Sequence, residues 1–356
     1  MNKNSNLFRD RTISIGLDVH LKSYKVSYLV DGQFYKTCTH GANSSEVINY
    51  VKTNFPGGKY QSAYEAGFAG YQLHYNLQAA GIENLVVHPS DVPVTQKNKE
   101  QKTDARDSKQ IAQCLYGGLL TCINIPNLKQ QSDRSLVRHR DKIVSHLTRI
   151  RNQIKMSLYY QGIEIPEQFS ESGWSKVFIS WLSGLNFREQ SGTTKMEIHL
   201  SELSHYRNLL LRVNRALRQL SRSTYYKEDY DILVSTPGIG LIGGMRFLTE
   251  IGDVERFNSS EKLCSYMGLI PNSRSSGERD RKSRITYRAN KRMRSQLIEA
   301  AWVAIRNDPS MMAYYAKKTR GNKKNSNRAI VSTARKLLCR IYYILNARVK
   351  YVKNKA

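Results

Sequence analysis

The order of short apolar segments between Thr12 and Gly117 constrains this chain more than any other feature. Ile13, Ile15 and Leu17 alternate with smaller residues and run into Asp18, the period of a strand with one buried face. Tyr24 to Val30 is a second run, and Asp31-Gly32 after it is a strong hairpin signal because both positions tolerate positive φ. Phe34 to Thr39 reads as a third strand. Ser44-Ser45-Glu46 opens a helix to Asn54, and Pro56-Gly57-Gly58 stops it. Gln61 to Ala66 then reads as a strand, Tyr71 to Ala80 as a helix closed by Gly81, Asn84 to His88 as a strand and Asp104 to Leu115 as a helix.

Three strands, helix, strand, helix, strand, helix is the layout of an RNase H-like α/β sheet, although periodicity alone also admits other mixed α/β folds. The middle of the chain is different. Ile143, Leu147, Ile150, Ile154 and Leu158 fall on one helical face, as do Leu203, Tyr206, Leu210, Val213, Leu217 and Leu220, the second set keeping a coiled-coil seam. Gly162 to Lys195, with Pro166 and several glycines, interrupts them as an excursion. Pairing within one chain and pairing between chains both remain open. From Tyr230 the chain becomes helical, short-looped and basic: Asp308-Pro309 ends one helix, Gly321 to Asn325 is a loop, and Arg328 to Leu345 is a last amphipathic helix. The expected division is residues 1–125, an RNase H-like metal-binding domain; 126–228, a coiled-coil connector; and 229–356, a mainly helical domain.

Lys and Arg number 56 against 29 Asp and Glu in 356 residues, a formal charge of +27. Such an excess draws polyanions, nucleic acid first, since each neutralised phosphate releases counterions. Charge does not separate an enzyme from a binder without chemistry. Several of the 22 tyrosines lie beside cations, as in Tyr314-Tyr315-Ala316-Lys317-Lys318, which suits base stacking and equally suits the edge of a core. The five cysteines form no Cys-x-x-Cys pair, which disfavours a zinc site, and their odd number disfavours a disulfide framework. Met1 to Arg11 lacks an apolar stretch and no run of about 18 apolar residues occurs, so the expectation is a cytoplasmic protein without a membrane span.

Against this basic background four carboxylates stand out. Asp18 ends the first strand, Glu65 lies near the end of the fourth, and Asp104 and Asp107 share one helical face. Hard oxygen donors of this kind suit Mg²⁺ and the in-line displacements of phosphoryl transfer. Each has an ordinary alternative: Asp104 as a helix N-cap, Asp107 as a partner of Lys102 or Lys109. Together, in this strand order, they favour a metal site.

Two further segments bear on phosphate chemistry. Ser275-Ser276-Gly277 lies in an expected loop, and Arg274, Arg279, Arg281, Lys282 and Arg284 around it can hold an anion. It reads either as a nucleophile loop or as a Ser/Gly turn on a DNA-binding face. Thr236-Pro237-Gly238-Ile239-Gly240 leads into an apolar helix like a helix-hairpin-helix turn, whose N–H groups grip a backbone phosphate; a tight turn for close helix packing is the equal alternative.

Gly16-Leu17-Asp18-Val19-His20, Tyr64-Glu65-Ala66 and Lys102-Thr103-Asp104-Ala105-Arg106-Asp107 resemble the RuvC-like half of the IS-one-ten insertion-sequence transposases. Thr236 to Gly240, Ile251-Gly252-Asp253 with Arg256-Phe257, Tyr266 to Pro271 and Ser275-Ser276-Gly277 resemble their transposase half, in order from about residue 12 to 345. The resemblance implies a prokaryotic, nucleoid-associated DNA recombinase that excises and inserts its element, with Mg²⁺ (or Mn²⁺) on Asp18, Glu65, Asp104 and Asp107. It implies Ser276 as nucleophile with Ser275 as fallback; Gly238, Gly240, the basic cluster and Arg294 are the expected nucleic-acid contacts beside them. Its partners would be donor and target DNA, a structured bridge RNA that selects them by pairing, and further copies of the chain as a dimer or tetramer. The chain departs from the family where a lysine and a glycine usually stand: here they are Tyr287 and Ala289, while Asn290 and Arg294 still align. The competing functions are a hydrolytic, structure-selective nuclease and a non-catalytic nucleic-acid binder.

Overall fold

The alternation at Ile13, Ile15 and Leu17 becomes β1 (Thr12–Val19), with those three side chains fully buried. It pairs antiparallel with β2 (Ser23–Val30), which pairs antiparallel with β3 (Gln33–Gly41) through a turn in which Asp31 and Gly32 both take positive φ. After α1 (Ser44–Asn54), β4 (Lys59–Glu65) joins the other side of β1 in parallel, and after α2 (Gln72–Ala79), β5 (Glu83–Val87) joins β4 in parallel. The spatial order is β3-β2-β1-β4-β5. One face of this sheet buries Ile13, Ile15, Leu17, Val26 and Tyr28 against Val47, Val51 and Phe55 of the α1 segment and Leu73 and Leu77 of α2. The other face carries α3 (Asp104–Tyr116), whose Ile111 and Leu115 pack with Ala63 and Val87. The computed structural model describes residues 7–93, 103–170, 173–276, 279–286 and 289–353, and the side chains of residues 170, 271–276, 279–284 and 323 lie outside that description. The chain divides into two units, Met1–Ile125 and Pro126–Ala356.

In the second unit, α4 (Leu128–Tyr160) and α7 (Gln190–Ser221) lie antiparallel: Arg140 Nε donates to Asn214 Oδ1 at 2.8 Å, and further along His146 stacks on Tyr206 with ring centroids 5.0 Å apart. Their seam buries Ile143, Leu147, Ile150, Ile154 and Leu158 against Met196, Leu203 and Val213. Leu210 packs against the same cluster and Leu217 is wholly buried beside the neighbouring core, so this stripe is used inside the chain. The excursion between them contains α5 (Glu167–Ser170) and α6 (Lys176–Ser183), and α6 fills the seam with Phe178 and Leu182. The rest of the unit is helical: α8 (Lys227–Val234), α9 (Leu241–Ile251), α10 (Ser260–Tyr266), α11 (Lys291–Asn307), α12 (Pro309–Thr319) and α13 (Ser326–Asn346) surround one apolar core. Asp308 both ends α11 and caps α12, accepting from the backbone N–H groups of Ser310 and Met311.

One element departs from expectation. The serine segment is not a loop but half of an antiparallel hairpin, β6 (Pro271–Ser276) with β7 (Arg279–Ile285), in which Ser276 pairs with Arg279. Asn-Ser-Arg-Ser-Ser and Arg-Asp-Arg-Lys-Ser-Arg have no apolar member to reveal a period of two, so the pairing has no signature in local pattern.

Candidate active site

The even-numbered residues of β1 face α3, and they are small. A Cβ at Gly16 would lie 2.0 Å from the Ser108 carbonyl oxygen and 2.5 Å from the Ala112 nitrogen, so the helix backbone sits directly on the strand. Ser27 of β2 secures this contact: its hydroxyl hydrogen-bonds to Ser108 Oγ at 2.8 Å and to Thr37 Oγ1 at 2.7 Å. Buried hydroxyls need such partners, and here the three satisfy one another. The close approach brings the first turn of α3 to the carboxyl end of β1, where the backbone emerges from the sheet.

That turn holds Asp104 and Asp107, and β1 delivers Asp18. His20 Nε2 donates to Asp18 Oδ2 at 3.1 Å and lies 3.4 Å from Asp104 Oδ2, and one oxygen or nitrogen of each of the three falls within 4.8 Å of the others. Burial pushes the Asp18 carboxyl above its ordinary range; the charges of Asp104 and Asp107 push the same way, and His20 opposes them. Glu65 ends the neighbouring strand: Leu17 pairs with Tyr64, so Asp18 and Glu65 stand abreast at the ends of parallel β1 and β4. The alternation puts Glu65 on the face of Ala63, which packs toward α3. The structure thus brings Asp18 and Asp104 within 4.8 Å of each other on either side of His20, with Asp107 close enough to act on Asp18 and Glu65 at the same rim.

The ordinary alternatives fare differently. Thr103, not Asp104, occupies the N-cap of α3, and the Lys109 ammonium lies 4.1 Å over the Phe34 ring. Lys102 lies outside the described residues. His20 was not among the expected site residues; its signal is its position two residues after Asp18, just past the end of β1.

In the second unit, Ser275 and Ser276 sit at the end of β6, and the backbone of Arg274 and of Arg279, Arg281, Lys282 and Arg284 lies in the two strands. Their side chains lie outside the description, as do Gly277, Glu278, Tyr287 and Arg288 altogether. The hairpin root is better defined: Arg294 Nη1 donates to the Thr286 carbonyl at 2.9 Å and reaches the Gly268 carbonyl at 3.5 Å, bracketing the hairpin from both sides. Ala289, where glycine was expected from the resemblance, fits because Gly268 opposite it has no side chain; a Cβ there would lie 2.1 Å from the Ala289 methyl. Gly238 has φ +89° and presses on α11, a Cβ there meeting the Ala300 carbonyl oxygen at 2.5 Å, so the turn does allow close helix packing. Gly240 caps α9 with open space around it. The turn also borders a cavity of about 470 Å³ shared with Asn307 and Lys353.

A five-stranded sheet in this order, with a helix across its central parallel strands, is consistent with an RNase H-like fold. Comparison with known proteins agrees. Residues 15–160 match the model for the DEDD transposase of IS110, and residues 230–316 match the transposase IS116/IS110/IS902 family. The chain belongs to this IS110/IS116/IS902 transposase family. It is 31% identical over 239 residues to the transposase-designated protein y4qE of Sinorhizobium fredii, covering 67% of this chain and 57% of that protein. It is 23% identical to the transposase for insertion sequence element IS1533 of Leptospira borgpetersenii, over 68% of this chain and 70% of the relative. To the transposase for IS1111A of Coxiella burnetii it is 26% identical, over 64% and 60% respectively.

Proposed function

We propose that this protein is the transposase of an insertion sequence, a DNA recombinase that cuts and rejoins strands through a phosphoserine ester under the guidance of a structured bridge RNA. The observation that carries the proposal is the convergence of Asp18 and Asp104 at the rim where Glu65 and Asp107 also stand. The donor set fits a divalent cation, since carboxylate oxygens are the hard ligands that Mg²⁺ or Mn²⁺ takes and Asp18 is held where its charge wants a counter-ion. Asp18, Glu65, Asp104 and Asp107 would hold the ion. Bound there, it would neutralise the scissile phosphate and favour the attacking and leaving oxygens. His20 would orient the Asp18 carboxylate through its hydrogen bond.

Ser276, with Ser275 as the alternative, would attack the phosphorus through Oγ. Its proton passes to a base, and the DNA oxygen departs with the electrons of the broken bond. The ester keeps the energy of the phosphodiester, so a DNA hydroxyl can displace the serine and reseal the strand without ATP. Arg274, Arg279, Arg281, Lys282 and Arg284 would hold the phosphate backbone, and Arg294 would hold the hairpin that presents the serine. Gly238 and Gly240 would offer backbone N–H groups at the start of α9 to a further phosphate, a role supported by the open space at Gly240. Residues 1–125, 126–228 and 229–356 would be the metal-binding, connecting and serine-bearing parts of a dimer or tetramer in which one subunit's acidic site serves another's serine.

The test is strand cleavage of end-labelled donor and target DNA, with the co-purified RNA, in Mg²⁺ and in chelator. Wild type should cut only with metal, and Asp18→Asn and Asp104→Asn should not cut. Metal-independent cutting, or cutting by both variants, would overturn the proposal.

A further inference from the structure

Two thiols in the second unit meet outside both segments discussed above. Cys264 on α10 and Cys339 on α13 bring their sulfurs to 3.8 Å. Cys264 is wholly buried, whereas Cys339 is partly open to solvent. The other three thiols are separate: Cys38 donates to Tyr50 Oη, Cys114 is buried, and Cys122 is exposed with its thiol on the neighbouring Ile123 carbonyl.

We propose that Cys264 and Cys339 are a peroxide-oxidisable pair in which Cys339 is the attacked sulfur and Cys264 resolves it, closing a disulfide between α10 and α13. In the first step the Cys339 thiolate attacks one oxygen of hydrogen peroxide and hydroxide leaves, giving a sulfenic acid. In the second, Cys264 attacks that sulfur, the S–S bond forms, and the hydroxyl departs with the thiol proton as water. Two thiols supply the two electrons that peroxide accepts.

The surroundings divide the roles in this way. The hydrogen bond from Cys264 lowers the Cys339 thiol well below the ordinary range; burial opposes this, Ser260 and the Arg335 guanidinium reinforce it, and Glu261 works against it. The same sulfur contact, together with burial, pushes the Cys264 thiol up. Cys339 is the sulfur that solvent reaches, so peroxide meets it first, and Cys264, wholly buried, waits behind it as the resolving partner. The bond also has a structural consequence. The Cys264 carbonyl accepts from Leu269 N at 2.9 Å, at the root of the β6–β7 hairpin. Drawing the sulfurs from 3.8 Å to about 2.05 Å pulls on the residue that holds that root.

This inference is independent of the proposed recombinase chemistry. It is tested on the full-length reduced protein with stoichiometric hydrogen peroxide, counting free thiols and mapping crosslinked peptides. The five thiols should fall to three, with one peptide joining positions 264 and 339. Cys339→Ala should keep its remaining four thiols, and Cys264→Ala should leave a sulfenic acid at 339 that dimedone labels. Retention of all five thiols in wild type would overturn the proposal. So would oxidation of Cys122 ahead of Cys339, or intermolecular disulfides as the main product.

Discussion

The contact between Gly16 and α3 determines where Asp104 and Asp107 stand, so Gly16→Ala is the sharpest perturbation of the acidic site that leaves every carboxylate in place. The added methyl would begin 2.0 Å from the Ser108 carbonyl oxygen, and real Cβ contacts almost never fall below 3.0 Å. The obstructing atoms are helix backbone, so α3 must retreat by about 1 Å or the strand must bend away. Overpacking of this kind costs about 2 kcal/mol, or roughly 5–10 °C in the unfolding midpoint of a unit of this size. A displacement of about 1 Å in the first turn of α3 should lower metal-dependent strand cleavage by about 100-fold. Both are measured on one preparation, by thermal unfolding and by cleavage at a temperature where the variant is folded. Gly58→Ala is the control, because its Cβ meets side chains of the same unit away from α3, Ile13 Cγ1 at 2.8 Å and Tyr60 Cε1 at 3.3 Å, and backbone only at 3.4 Å. A Gly16→Ala protein with wild-type midpoint and cleavage, or a Gly58→Ala protein equally impaired in cleavage, would refute the reasoning.

Three other perturbations have expected outcomes. Burial pushes Glu250 up, but the bidentate Arg138 pair at 2.7 and 2.8 Å, Arg134 and Asn290 outweigh it and hold the carboxyl below its ordinary value of 4.5. That contribution is fully present above about pH 4.5 and is lost as pH falls through the lower folded value. Glu250→Gln should therefore cost about 2 kcal/mol in denaturant unfolding at neutral pH, less than a fully buried pair because Arg138 is 45% exposed, with the difference shrinking in acid. A pH-independent difference would contradict this. Asp308→Ala removes the α12 cap and takes from Arg340 its carboxylate partner, 2.9 Å from Nη1, leaving it the Ser310 and Tyr351 hydroxyls; about 3 kcal/mol should disappear with an unchanged urea dependence, and a loss under about 1 kcal/mol would be too small. His20→Ala should weaken Mn²⁺ binding about ten-fold in calorimetry while barely moving the midpoint, and unchanged affinity would remove His20 from the site.

Much of the first unit is legible in its sequence because its elements are defined locally. The expected helix from Ser44 to Asn54 has those bounds in the structure, and the strands fall within about two residues of expectation. Asp18, Glu65, Asp104 and Asp107 could be singled out because strand ends and a helix first turn are visible in pattern. Gly16 could not, since its role depends on a helix about ninety residues later. The second unit shows a different limit. The first half of α4, from Leu128 to about Lys142, lacks a clear apolar period because, apart from Leu136 and Val137, its fastening contacts are polar: Gln130 donates to the Thr249 carbonyl and Arg138 pairs with Glu250. The hairpin at Ser276 is hidden for a similar reason, its strands being polar on both sides. Hydrophobic periodicity reports burial against apolar partners, so elements fastened by long-range polar pairs leave no trace in it.

The central claim, that a serine carries the broken strand, is tested most directly by end-labelled donor and target DNA with RNA and Mg²⁺, run on a denaturing protein gel. The account predicts a labelled protein band for wild type and Ser275→Ala that is lost in Ser276→Ala and in Asp18→Asn. Metal-dependent cleavage with no label on the protein would contradict it and make this chain a hydrolytic nuclease whose serine hairpin only grips phosphate.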